Sequence, residues 1–388
     1  MNLLAELQAE LDQRAAQGLL RKRRLLQSAQ SARIKADSRE VLSFCSNDYL
    51  GLADHPALKA AMQEAVAQSG VGSGASHLIT GHHQYHEQLE TALAAFVGLP
   101  AALLFSTGYM ANLGIISALM RRGDAIFADK LNHASLNDAA VLSRGELHRY
   151  PHNDMAALEG MLKASSAPRK LVVADAVFSM DGDLAPVPEL LALCERYDAC
   201  LLLDDAHGFG VLGEKGQGIL SHFAVASPRI IYMATLGKAA GVAGAFVGGE
   251  TVLIDYLVQN ARTYIYTTAA PPALSATLLA ALKIIEHEDQ RRAHLQALIA
   301  FLKANLKPQR WQLMESATAI QPLVIGSNEA ALQLSEYLLG KGILVPAIRP
   351  PTVPKGSARL RISLSAAHSL NDVKQLIDTL HEAEKAAA

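Results

Sequence analysis

Cysteine is scarce in this chain. Cys45, Cys194 and Cys200 are the only three, an odd number with no metal-ligand spacing. That excludes a secreted disulfide framework and a thiolate metal site, and it fits a reducing compartment; all three read as small buried hydrophobes. Excess charge is also missing. A formal net charge of -2 offers no basic field to nucleic acid or to an anionic membrane, and the run "RKRR" (21–24) is too short to supply one. The amino-terminal "MNLLAELQAELDQRAAQGLL" places Leu3, Leu4, Leu7 and Leu11 at helical spacing among Glu6, Glu10, Asp12 and Arg14. It has neither the charge layout of a signal peptide nor the apolar length to span a bilayer, so a cytoplasmic protein is expected. Repeats and low-complexity linkers are absent.

What is present is apolar and long. With 388 residues, half of them hydrophobic, the chain can bury a sizeable core and is expected to form a large domain with a smaller partner. Short apolar runs alternate with helical patterns: "AALLFST" (101–107), "DAIFAD" (124–129), "KLVVADAVFS" (170–179), "CLLLDDAH" (200–207), "RIIYMATLGK" (229–238) and "GAFVGG" (244–249). This predicts an α/β layer structure with a mostly parallel sheet, whose ligands gather outside the carboxyl ends of the strands. After a long helical stretch broken at "EHEDQRR", the alternating segments "AIQPLVIG", "ILVPAIRP" and "ARLRISLS" predict a smaller α/β domain with an antiparallel sheet. The expected division is an amino-terminal helical arm over 1–50, a large domain over 51–285 and a small carboxy-terminal domain over 286–388.

Three strand ends carry chemistry. "LLFSTGYMANLG" is a strand, a glycine turn and a helix start near Tyr109, which presents free N–H groups to a phosphate or uses Ser106 or Thr107 simply as a cap. In "YMATLGKAAGVAG" a lone lysine, Lys238, closes a strand among small residues. Burial would favour its neutral amine, able to condense with an aldehyde or act as a base; otherwise the side chain reaches out to solvent. In "LLLDDAHGFG" (201–210), Asp204 and His207 can serve one ligand only if the chain turns at the strand end, which Gly208 and Gly210 permit; Asp205 has a supporting or structural part.

The segments "SNDYLGL", "GSGASHLITG", "FSTGYMANLG", "NHASL", "VFSMDGD", "DDAHGFGVLGEKGQG", "TLGKAAGVAGAFV" and "YTTAAPP", in that order, resemble the signatures of the α-oxoamine synthases. These are fold-type I transferases dependent on pyridoxal 5'-phosphate (PLP). The resemblance implies that Lys238 holds PLP as a Schiff base, that Asp204 pairs with the ring nitrogen, and that His207 and Ser179 bond the phenolic oxygen. His133 would stack on the ring. Gly108, Tyr109 and Thr235 would hold the phosphate, while Thr267 and Thr268 would reach the phosphate of a neighbouring subunit, making a homodimer with shared active sites. Arg361 would clamp the amino-acid carboxylate, close to Asn47.

Within the family, "LLRKRR" and "AIRPPTVPKGSARLRISL" (347–364) resemble the members that condense L-alanine with a pimeloyl thioester in biotin synthesis, the acyl group being carried on coenzyme A or an acyl-carrier protein. Arg21, Arg349 and Thr352 are then candidates for the far carboxylate of the acyl chain, although "RKRR" also reads as a solvated turn. Ala75 and His77 stand where many relatives carry glycine and glycine-using relatives arginine, which disfavours a glycine-using member. Another α-oxoamine synthase, using glycine or a different acyl thioester, is the first alternative; a PLP aminotransferase or lyase of the same fold, and a non-catalytic relative, are the others.

Overall fold

The computed structural model describes residues 2–21 and 23–386. The chain divides into two compact units. One comprises residues 1–49, 180–182 and 293–388; the other comprises 50–179 and 183–292.

The amino-terminal segment holds a helix, α1 (Leu3–Ala16), and two strands, β1 (Arg33–Ala36) and β2 (Arg39–Ser43). Asn2 caps α1, yet none of its residues is buried, and Leu3, Leu4, Leu7 and Leu11 are exposed. Lys22, in the middle of "RKRR", lies outside the described residues.

The larger unit begins with α2 (Pro56–Ser69), a π-helical turn at His77–Gly81, and α3 (Gln84–Val97). Next come β3 (Ala101–Phe105), α4 (Gly108–Leu119), β4 (Ala125–Asp129), α5 (Ala134–Ser143), β5 (Glu146–Tyr150), α6 (Met155–Ala164) and β6 (Lys170–Asp175). The unit continues through α7 (Val187–Arg196), β7 (Cys200–Asp204), α8 (Ile219–Phe223), β8 (Ile230–Thr235), β9 (Ala245–Gly249), α9 (Thr251–Asn260), α10 (Arg262–Ile265) and α11 (Pro272–His287). Seven strands form one sheet in the order β3-β9-β8-β7-β6-β4-β5, in which β9 alone runs against its neighbours.

The sheet explains the apolar runs. Strands covered on both faces have no solvated side to alternate toward, and Leu201, Leu202 and Leu203 of β7 are each fully buried. Each such side chain contributes about 1.5–3 kcal/mol. β5, with pattern "ELHRY", is at the sheet edge and half exposed, so its apolar signal is weak and the sequence reading passes over it.

The remaining elements are α12 (Asp289–Asn305), β10 (Gln312–Leu313), β11 (Ile320–Gly326), α13 (Asn328–Gly340), β12 (Ile343–Leu344), β13 (Ala347–Ile348), β14 (Ala358–Ser363) and α14 (Leu370–Ala386). β11, β13 and β14 pair antiparallel, with β10 at one edge. The "ILVPAIRP" segment splits, because β12 pairs in parallel with β2 in a separate three-stranded sheet while β13 joins β14. That pairing gives the first 49 residues strand partners in the carboxy-terminal segment, so they group with it rather than standing apart as a helical arm. The long helical stretch breaks at Glu288, between α11 and α12, and the larger unit extends to Arg292, beyond the expected division at 285. Cys194 is buried, Cys45 is half-buried, and Cys200 at the start of β7 is exposed, contrary to its reading as a buried hydrophobe. Among the described residues no helix is long and apolar enough to cross a membrane.

Candidate active site

In the larger unit, β3, β4, β6, β7 and β8 point their carboxyl ends to the same edge of the sheet, so the residues after each strand converge. They line a cavity of about 190 Å³ that includes Gly108, Tyr109, His133, Ser179, Asp204, His207, Thr235 and Lys238. A larger open groove of about 720 Å³, between Ala95–Pro100 and residues 217–230, brings together no comparable set of titratable groups.

Thr107 is the cap of α4, its side chain accepting from Met110 N at 3.1 Å. The first N–H groups of α4, those of Gly108 and Tyr109, have no helical carbonyl to bond and stand at the positive end of the helix. Thr235 lines the same cavity, but its hydroxyl hydrogen is donated to the Gly244 carbonyl at 3.0 Å. The Tyr109 hydroxyl donates to Asp138.

The turn after β7 does what the sequence required of it. Asp204 ends the strand, residues 206–211 turn, and both Asp204 and His207 face the cavity. Gly210 turns the chain with φ +86, whereas Gly208 is needed for space: a Cβ there would sit 2.1 Å from Asp205 Oδ1. Asp205 itself is fully buried and faces away from the cavity lining, its Oδ2 accepting from Ile219 N at 2.7 Å and Tyr232 OH at 2.8 Å. Burial pushes its carboxyl up to about 7. Its part is structural, tying the turn to β8.

Lys238 is half-buried, and its Nζ lies 2.8 Å from His207 Nε2. His133, exposed at the start of α5, accepts on Nδ1 from Ser135 N at 3.3 Å and faces Ser135 Oγ at 2.8 Å. An accepting Nδ1 places the imidazole proton on Nε2. The Ser135 hydroxyl in turn accepts from Asn112 Nδ2 at 2.9 Å, and the same amide donates to Asp204 Oδ2 at 2.8 Å.

One further group braces the strand ends. His152 bridges Asp129, at the end of β4, and Asp183, with contacts of 3.1 and 2.8 Å. Burial alone would lower its pKa, but the hydrogen bonds to Asp129 and Asp183 raise it to about 10. It is therefore an imidazolium at neutral pH that ties the chain before His133 to the chain after Ser179. His77 is buried and stacks on Tyr264 with ring centroids 4.7 Å apart, and burial lowers its pKa to about 4.

The other candidates lie elsewhere. Thr267 is half-buried and Thr268 exposed, and neither lines the cavity. Their segment is pinned by a Ser76–Thr268 bridge and by Ala269 N donating to Ala75 O at 3.0 Å. In the smaller unit, Arg361 on β14 is buried and donates to Asn47 Oδ1 at 3.1 Å and Ser363 Oγ at 2.9 Å, so the expected neighbours meet. Arg349 donates to the Gly18 carbonyl, and Thr352 N donates to the Arg349 carbonyl at 3.1 Å. Arg21 and Thr352 are exposed.

Sequence reasoning missed Asn112, Ser135 and Asp175. Asp175 closes β6 as Asp204 closes β7, a repeated pattern of an apolar strand ended by a carboxylate that could have marked it. Asn112 is the one amide on an apolar stretch of α4, four residues after Gly108 and so on its face.

Comparisons with known proteins identify the family. The model of the family described as aminotransferase class I and II matches residues 39–380. An 8-amino-7-oxononanoate synthase from Methylobacillus flagellatus is 66% identical over 384 residues, covering 99% of this chain and 97% of that protein. One from Nitrosospira multiformis is 61% identical over 375 residues, covering 97% and 95%. Among solved structures, a serine palmitoyltransferase from Sphingomonas wittichii superposes with a TM-score of 0.92 at 32% identity, covering 100% of this chain and 99% of that one. An 8-amino-7-oxononanoate synthase from Francisella tularensis gives 0.79 at 32% identity, covering 89% and 98%. A palmitoyltransferase from S. paucimobilis with bound PLP–myriocin aldimine gives 0.92 at 29% identity, covering 100% and 99%. The chain therefore belongs to the aminotransferase class I and II family, and within it to the 8-amino-7-oxononanoate synthases.

Proposed function

We propose that this chain, loaded with PLP, condenses L-alanine with a pimeloyl thioester and releases carbon dioxide, the free thiol of the acyl carrier and 8-amino-7-oxononanoate, an early product of biotin synthesis. The observation that carries the reading is the convergence of a lysine, a carboxylate and a helix N-terminus on one cavity.

The cavity suits the cofactor. A hole of ~150 Å³ accepts a benzene ring, and about 190 Å³ with Ser179, Asp204, His207 and Lys238 in its walls accepts a substituted one. The donor set matches as well: unbonded helix N–H groups for a phosphate, Asp204 for a protonated ring nitrogen, and Lys238 for an aldehyde. When bound, PLP supplies a ring that draws electrons from the carbon bearing the amino group of the substrate.

The chain's own residues do the rest. Gly108 and Tyr109 hold the phosphate with their N–H groups; Thr235 joins them only by turning its hydroxyl away from Gly244. Asp204 keeps the ring nitrogen protonated, and its hydrogen bond from Asn112 fixes the carboxylate in place. The amine of Lys238 takes the proton from the alanine Cα and returns it after carbon dioxide has left. His207 and Ser179 hold the phenolic oxygen. His133 would stack on the ring and offer its Nε2–H as a donor for the oxygen of the acyl group as charge gathers on it. Arg361, positioned by Asn47 and Ser363, is the cation for the alanine carboxylate. Arg21, Arg349 and Thr352 are the candidates for the far end of the acyl chain, delivered as a coenzyme A or carrier-protein thioester.

The same reading makes the working form a cytoplasmic homodimer. The chain leaves Val71, Ile79 and Tyr266 more than 70% exposed around the segment that carries Thr267 and Thr268, an apolar surface suited to a second copy that receives these hydroxyls at its own phosphate. Sedimentation of the PLP-loaded protein, with a Thr267→Ala, Thr268→Ala double variant assayed for cofactor affinity, tests the shared site. A monomer with full activity would overturn it.

A further inference from the structure

Asp175 and Asp204 close neighbouring parallel strands, β6 and β7, as direct Cα partners, so their side chains share one face of the sheet. Both line the cavity, at 3% and 6% exposure. Two ionised carboxylates at one dry site repel, and one of them takes up a proton.

The hydrogen bonds decide which. Each oxygen of Asp204 has a donor: Asn112 Nδ2 at 2.8 Å on Oδ2 and Ala206 N at 3.1 Å on Oδ1. Among the described residues Asp175 receives only His133 N, at 3.1 Å on Oδ2, and its buried Oδ1 has no partner. Donors stabilise the charged form, so the charge stays on Asp204. We propose that Asp175 is the proton-holding member of this pair, a neutral acid beside the ionised Asp204, and that Asn112 is the positioning residue that sets this division. The proposal rests on the PLP reading above.

The surroundings agree. Burial first, and then Asp204 and Asp129, push the Asp175 carboxyl well above the ordinary carboxylate range, against the opposing pull of the His133 N–H and Lys238. Asn112 is fully buried, and both its bonds leave from Nδ2 while its Oδ1 has no partner among the described residues. Flipping the amide would turn oxygen against the Asp204 carboxylate, so only one orientation is stable. The division matters for Lys238. A second negative charge would hold its amine as the ammonium and remove its capacity to accept a proton, whereas one carboxylate, paired with the ring nitrogen, leaves it free to do so.

The test is an infrared difference spectrum of the PLP-loaded enzyme against its Asp175→Asn variant at pH 7. The carbonyl stretch of a protonated carboxyl is expected in the parent and lost in the variant; an unchanged band, or none in the parent, overturns the assignment. Asn112→Ala is expected to weaken PLP binding about ten- to a hundredfold, the worth of a hydrogen bond to a charged group. It should also shift the acid limb of the kcat profile upward, because Asp204 then competes for the proton. An unmoved limb with unchanged affinity overturns the part given to Asn112. Cofactor loading, read from the visible absorption band of the parent, tests the PLP reading separately.

Discussion

Lys238 Nζ lies 2.8 Å from His207 Nε2, an amine and an imidazole delivered by the ends of adjacent strands β8 and β7. An ammonium can only donate, so in that form Nε2 accepts and the His207 proton sits on Nδ1. On the proposed reading, Lys238→Ala removes both the attachment point and the proton carrier. Aminoketone formation should fall by at least about 10²–10⁴, the usual worth of a positioned acid or base, and the visible band of the lysine-linked cofactor should vanish. A band that persists in the variant would place the attachment elsewhere.

Asp204→Asn keeps the shape of the side chain and removes its charge. On the account above kcat should drop by about 10²–10³, as for loss of a group stabilising developing charge, while KM for alanine changes little, because the proposal gives the substrate carboxylate to Arg361 and not to Asp204. Steady-state kinetics separate the two; a KM effect alone would contradict the role given to Asp204.

The turn after β7 depends on Gly208 for room. Gly208→Ala drives a methyl into the Asp205 carboxylate and should cost about 1–3 kcal/mol, the range for overpacking. Gly160→Ala, in the interior of α6 with open space around it, should instead stabilise by about 0.4–1 kcal/mol. Paired urea melts check both; equal effects would remove the steric argument.

His152 gives the fold a pH dependence of known sign. Its pKa is about 10 in the folded protein against 6.5 for the ordinary imidazole, so the folded state binds the extra proton. Its stabilisation is fully present below pH 6.5 and is lost as pH rises from there through 10. Thermal melts should show Tm falling over that window, and His152→Gln should lower Tm at pH 7 and flatten the slope. A variant with the parent's slope would show that His152 is not the group responsible.

Much of this was legible before the structure, and the reason is burial. Strands β3, β4, β6, β7, β8 and β9 are covered on both faces, so each announces itself as an apolar run, and the polar residue closing it marks the site. Asp204, His207 and Lys238 were found that way. Asn112 was hidden because a single amide in an apolar helix face carries no periodic signal, and its partners Ser135 and Asp204 are 23 and 92 positions away. β12 was misjudged for a related reason. Its two residues read as part of the antiparallel sheet of the smaller domain, and only long-range pairing with β2 sends them to another sheet.

The central claim is the reaction, and product analysis reads it most directly. Purified protein is incubated with PLP, L-alanine or glycine, and a panel of acyl thioesters, and the aminoketone is identified by mass. Alanine with pimeloyl thioester should yield 8-amino-7-oxononanoate and one equivalent of carbon dioxide. No product from that pair, with an aminoketone from glycine and a shorter acyl group, would contradict the assignment.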